Sequence, residues 1–243
     1  MFFPIRDDNP RPGTPFVVIG LIALNALVFL YQLSLGDERG ELFVRAAGAI
    51  PFELTHLLDL TGWRVEGRRL VAHPHALVPL PLTAVTAMFL HGGWLHLLGN
   101  MWYLWLFGDN IEDQMGIGRF AVFYLVCGLA AAALQVAVEP ASTIPMIGAS
   151  GAIAGVLGGY ARMFPRARVH TIVILFFIQH LHLPAILLLG FWFLLQFVSA
   201  AGGGAGVAWY AHIGGFIAGF LLVGLFVRRS GPPTRDRRWA YAS

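Results

Sequence analysis

Long apolar runs constrain this chain more than any other feature. Phe16 to about Leu35 is one of them, and about 20 apolar residues at 1.5 Å per residue are enough to cross the hydrocarbon core of a bilayer. Further runs occupy Trp94–Phe107, Phe120–Val138, Ser150–Met163, Pro184–Ser199 and Trp209–Val227. In lipid every backbone N–H and C=O needs an internal partner, so such segments are expected to be helices packed in a bundle. Composition agrees: 57% of the 243 residues are hydrophobic and 12% charged, against roughly a quarter charged in soluble domains. The mean hydropathy is +0.70. The expected fold is an all-α polytopic membrane protein: a six-helix domain over 16–227 between a polar N-terminal tail (1–15) and a polar C-terminal tail (228–243). No small-residue cleavage site follows the first run, which therefore reads as an uncleaved helix rather than a signal peptide.

The connections are uneven. The first loop, 36–90, is long and mixed, with six acidic residues and five arginines. Its apolar piece Ala46–Leu60 is too short to span and is expected on, or partly in, the membrane surface. Thr171–Ile178 is also short, is interrupted by Gln179-His180-Leu181-His182, and reads as a re-entrant or interfacial segment. All 16 basic residues are arginine, concentrated in the two tails, the first loop and the stretch after the fourth run. The positive-inside rule then places both termini in the cytoplasm, with the long first loop as the exception. The net charge of +3 is small and forms no basic stripe, so a nucleic-acid partner is not expected. No internal repeat is evident, which disfavours a transporter. Cys127 is the only cysteine; it can form no intrachain disulfide and is expected to pack in the core.

With six spans, the second, fourth and sixth run in the same direction. Their first turns hold His96 and Asn100, then Ser150, then His212. Polar groups within a membrane are costly and are candidates for function. The fourth run has 14 residues, about 21 Å of helix against a core of about 30 Å, so Ser150 is expected roughly 10 Å below the outer face. The preceding loop, Thr143–Ile147, must then dip into the membrane and line a wet cavity. Ser150 could simply cap its helix, but the same helix start offers free N–H groups to an oxyanion. His96 and Asn100, four residues apart, share a helix face and could add donors. Gly151 and Gly155 in one run and Gly215 and Gly219 in another form small faces suited to close helix packing. That packing would bring His212 to Ser150 as a general base. No carboxylate lies near either residue, so a Ser-His dyad is expected rather than a triad. A zinc site from His91 and His96 lacks further ligands and no metal is expected. His91, His170, His180 and His182 read as hydrogen-bonded structural residues.

The segments His91-Gly92-Gly93-Trp94-Leu95-His96-Leu97-Leu98-Gly99-Asn100, Gly148-Ala149-Ser150-Gly151 and Ala211-His212-Ile213-Gly214-Gly215 with Gly219 together resemble the rhomboid family of intramembrane serine proteases. The resemblance covers about Phe16 to Val227. It implies a rhomboid-like bundle of six transmembrane helices, with Ser150 as nucleophile, His212 as general base, and an oxyanion hole made by His96, Asn100 and the Ser150 amide. It further implies transmembrane protein substrates in a lipid bilayer, a fifth helix (here with Trp192 and Phe193) acting as a lateral gate, and no cofactor. A bacterial inner membrane is the expected location. The competing expectation is a catalytically inactive rhomboid-like protein that binds membrane helices; such relatives usually lose the serine or the histidine, and both are present here. Two departures stand out. Many relatives have an aromatic residue four positions after the serine, packed on the histidine, where this chain has Ala154. Many also have a Trp-Arg pair just before the second helix, where this chain has Leu82-Thr83; its Trp63-Arg64 lies well upstream.

Overall fold

A computed structural model describes residues 2–9, 13–66, 69–174, 177–202 and 207–228. The arginine-rich tail after Arg228 and most of the glycine-rich turn before Trp209 lie outside the described residues. In chain order the elements are β1 (Phe2–Asp7), α1 (Phe16–Ser34), α2 (Gly36–Ala47), α3 (Pro51–His56), β2 (Gly62–Glu66), β3 (Arg69–His73), α4 (Leu80–Thr86), a 3-10 turn (Ala87–Phe89), α5 (Trp94–Met115), α6 (Ile117–Val138), α7 (Ser150–Met163), β4 (Arg168–Ile174), β5 (Ile178–Pro184), α8 (Ala185–Ala201) and α9 (Trp209–Phe226). Among the described residues α1, α6 and α9 are long and apolar enough to cross a membrane, and α4 with its 3-10 turn reaches that length and apolarity only together with α5, the two bent by 85° at the break. α8, with 17 residues, and α7, with 14, are shorter. The protein is a helical membrane bundle.

α7 is the axis of that bundle. Every residue from Gly151 to Ala161 is buried, with α5, α6, α8 and α9 packed around it. A helix with no lipid-facing side has little use for long apolar side chains and can be built from small residues. A Cβ added to Gly215 would overlap the Gly151 carbonyl, one on Gly219 the Gly155 carbonyl, and one on Gly155 the buried Cys127 side chain of α6. The backbones of α7 and α9 therefore touch. Further along, Arg162 Nη1 donates to Phe220 O and Leu221 O, each at 2.8 Å, tying the far end of α7 to α9.

Three segments add to or differ from the sequence expectation. In the stretch read as a re-entrant or interfacial segment, Thr171–Ile174 lies in β4 and Ile178 opens β5; the two strands pair antiparallel, and β1 extends them into a sheet of order β1-β4-β5. Val169, Thr171 and Val173 alternate inward and are fully or nearly buried, so the run is apolar because one strand face covers the end of the bundle. The N-terminal segment, expected as a tail, thus contributes a strand. α5 continues past Phe107 to Met115; of the charged residues that suggested its end, Asp109 and Glu112 are buried and Asp113 is exposed. The Glu112 carboxylate accepts hydrogen bonds from the N–H groups of Val17 and Val18, each at 2.9 Å, and so caps the start of α1, which has no cap of its own.

Asp7, at the end of β1, accepts from Asn110 Nδ2 at 3.0 Å and from the Tyr160 hydroxyl, docking the strand onto α5 and α7. Burial, reinforced by the nearby Asp109, raises the Asp7 pKa from its ordinary 3.8 to about 6. A carboxyl group whose pKa is raised on folding favours the folded state when protonated, so its unfavourable contribution shrinks as pH falls through 6 toward 4. Thermal unfolding in detergent should therefore show Asp7→Asn more stable than wild type above pH 6, with the gap closing toward pH 4. In the same assay Gly219→Val should lose about 3 kcal/mol or more by overpacking, whereas Gly20→Ala, where a Cβ meets nothing within 4 Å, should match wild type.

Candidate active site

The segment before α7 has irregular backbone within a bundle of membrane helices, where each polar group needs a partner. The long first loop supplies them. Met146 N donates to Ala49 O at 2.8 Å and Ala49 N to Met146 O at 3.2 Å; Gly148 N donates to Ala87 O at 2.8 Å and Phe52 N to Ser142 O at 3.0 Å. Gly148 adopts φ +116°, a conformation an L side chain resists. A Cβ there would also lie 2.7 Å from His96 Nε2. This turn delivers Ser150 as the first residue of α7.

Ser150 Oγ lies 2.8 Å from His212 Nε2. The close contact of α7 with α9 makes this possible, because Ser150 and His212 lie beside the paired glycines. The other ring nitrogen, Nδ1, lies 2.9 Å from Gln196 Oε1 on α8. Gln196 Nε2 donates to Trp192 O at 2.7 Å, so the amide oxygen faces the imidazole. An amide oxygen only accepts, so Nδ1 carries the proton and Nε2 is free to accept from the serine hydroxyl. Trp192 and Trp209 flank the ring, each with its centroid 5.9 Å away, at interplanar angles of 36° and 86°. Ala154, fully buried, adds no ring to this cage; two tryptophans and a glutamine from α8 and α9 hold the imidazole instead.

His96 and Asn100 sit one turn apart on α5 and line the same cavity as Ser150 and His212, with a volume of about 790 Å³. Gly92 N donates to His96 Nδ1 at 3.2 Å, which leaves His96 Nε2 as a donor beside Gly148. The Asn100 amide nitrogen is buried with no hydrogen-bond partner among the described residues. Two donors therefore face the cavity near the α7 N-terminus. The cavity runs from Leu95 and Tyr103 of α5 to Trp192 of α8. His91 is buried in the break before α5, its ring centroid 5.0 Å from that of His96.

Three glutamines brace this arrangement, and none was singled out in the sequence. Gln32 of α1 exchanges two hydrogen bonds with the His91 backbone, each at 3.1 Å, fixing the entry to α5. Gln135 of α6 accepts from Ala211 N at 3.2 Å, next to His212. Gln196 orients His212 itself. All three are buried. The signal available was an amide in each of three otherwise apolar runs, Gln32 (with Asn25) in the first and Gln135 and Gln196 alone in theirs, a costly choice unless each is hydrogen-bonded.

The family model of the Rhomboid domain matches residues 81–229, more than half of the chain. The chain is 34% identical over 138 residues to RHOMBOID-like protein 6, mitochondrial, of Arabidopsis thaliana, covering 57% of this chain and 41% of the relative. It is 32% identical over 144 residues to the rhomboid protease GluP of Bacillus subtilis (strain 168), covering 56% and 24%. Rhomboid protein 1, mitochondrial, of Saccharomyces cerevisiae is 28% identical over 167 residues, covering 65% and 45%. The chain thus spans less than half the length of these relatives, and they include both mitochondrial and bacterial proteins. The helical bundle, the positions of its motifs and the matched domain lead to one conclusion: this chain belongs to the rhomboid family of integral membrane proteins.

Proposed function

We propose that the protein is an active intramembrane serine endopeptidase that cuts membrane proteins in or beside a transmembrane segment, using Ser150 and His212 as a dyad. The 2.8 Å contact of Ser150 Oγ with His212 Nε2, inside a cavity among membrane helices, carries this reading. His212 Nε2 takes the serine proton as Oγ attacks the carbonyl carbon of the scissile peptide. The resulting oxyanion receives hydrogen bonds from His96 Nε2, Asn100 Nδ2 and the Ser150 N–H. His212 then gives the proton to the leaving amine as the C–N bond breaks, and a water activated by the same nitrogen hydrolyses the acyl-enzyme. Gln196 serves as a positioning residue, doing for His212 what an acid does in a triad without carrying a charge.

The cavity between α5 and α8 fits entry of a substrate from the lipid on that side, with the α8 face carrying Trp192 as the movable wall. In this reading 16–227 is the catalytic membrane domain, and the arginines following α7 and α9 lie in the cytoplasm with both termini. The plasma membrane of a bacterium is the proposed location. No cofactor takes part in the proposed steps.

With the purified protein in liposomes and a transmembrane substrate, Ser150→Ala and His212→Ala should abolish cleavage; equal cleavage by all three would sink the protease reading. A wild type with no activity on any of a panel of transmembrane substrates would favour the inactive, helix-binding alternative. Asn100→Ala should lower kcat by about 10²-fold, as loss of one oxyanion donor does elsewhere. Gln196→Leu should lower kcat by about 10-fold or more with KM unchanged, since general-base catalysis is worth about 10²–10⁴ and only its orientation is lost. Gln196→Glu, which keeps an acceptor oxygen, should retain more activity than Gln196→Leu.

A further inference from the structure

The sheet at the end of the bundle opposite Ser150 gathers three histidines. In the β4–β5 register His170 stands directly opposite His182, and His180 lies two residues further along β5 on the same face. Neighbours on one face of an antiparallel pair have Cβ atoms about 5 Å apart, within reach of one another's side chains. The ring centroids are 4.2 Å apart for His170–His182, 5.1 Å for His180–His182 and 5.4 Å for His170–His180. One ring nitrogen from each lies within 4.8 Å of the others. Asp8, just after β1, places Oδ1 2.7 Å from His170 Nε2. Arg6 Nη2 lies 3.3 Å from the same nitrogen, but its side chain is 69% exposed and can swing into solvent.

We propose that His170, His180 and His182, with Asp8 at the rim, form a binding site for a divalent transition-metal ion of the zinc, cobalt or nickel class. Imidazole suits these ions. Metal–nitrogen bonds of about 2.0–2.1 Å bring tetrahedral ligands to roughly 3.4 Å from one another, closer than the 4.8 Å limit of the present cluster. The exposed side chains of His180 and His182 close that gap by rotation, while His170 is held by Asp8, as carboxylates commonly orient metal-bound histidines. Val169, Thr171 and Val173 are turned to the bundle, so the histidines stand on the opposite face, where His180 and His182 are exposed. A bound ion would link β4 to β5 and, through Asp8, to the end of β1. It would thereby fasten the N-terminal strand to the hairpin that leads into α8.

The test uses the full chain in detergent without a polyhistidine tag, titrated with Co²⁺ and followed by visible absorption and by thermal unfolding. One Co²⁺ per chain, a tetrahedral-type spectrum and a rise in Tm are expected for wild type. All three should be lost in His180→Ala/His182→Ala, whose sites are exposed, and kept in His96→Ala and His212→Ala. Absence of binding by wild type would overturn the proposal, as would an unchanged signal in the double variant or its loss in His96→Ala or His212→Ala.

Discussion

The contact between the backbones of α7 and α9 is the interaction on which the rest depends. It exists only because Gly158, Gly215 and Gly219 have no Cβ to push the facing backbone away, with Gly155 also passing close to the Gly215 carbonyl. With ordinary side chains there, the helices would stand apart by the usual 8–10 Å of helix packing, and a serine and a histidine at their ends would not share a hydrogen bond. α5, α6 and α8 cover the remaining sides of α7, which is 14 residues long. A short central helix starts inside the bundle, and the chain must reach its start through irregular backbone.

That irregular backbone explains the long first loop. Ala49, Phe52 and Ala87 bond the main chain of the segment between Ser142 and Gly148, so α3 and the turn before α5 serve as scaffolding for the Ser150 turn. The glutamines extend the same principle to side chains. Each is buried and hydrogen-bonds to a cavity residue or its chain neighbour: the His91 backbone next to Gly92, the Ala211 N–H next to His212, and the His212 ring. Glutamine suits this task within a membrane because it both donates and accepts while remaining neutral.

What the sequence revealed and what it concealed have physical reasons. α1, α6, α7, α8 and α9 were legible to within a few residues because apolar length is a local property. Ser150 and His212 were legible as partners because small faces on two helices imply close approach at a matching depth. The orientation of His212 was not: Gln196 lies 16 residues away on another helix, and only the packing of α8 selects it over other polar residues. The sheet was hidden because β4 and β5 pair with each other but gain a third strand from residues 2–7, a pairing no local pattern announces. The end of α5 was misplaced because Asp109 and Glu112 look like a solvated helix end, whereas Glu112 is buried as the cap of α1.

In the proposed mechanism His212, held by Gln196, activates Ser150 as a nucleophile. Labelling the membrane-embedded protein with a fluorophosphonate and reading the adduct by mass spectrometry tests it most directly. One adduct per chain is expected on Ser150, with labelling greatly slowed in His212→Ala and intermediate in Gln196→Leu. Labelling of Ser150 at the wild-type rate in His212→Ala, or an adduct on another residue alone, would contradict it.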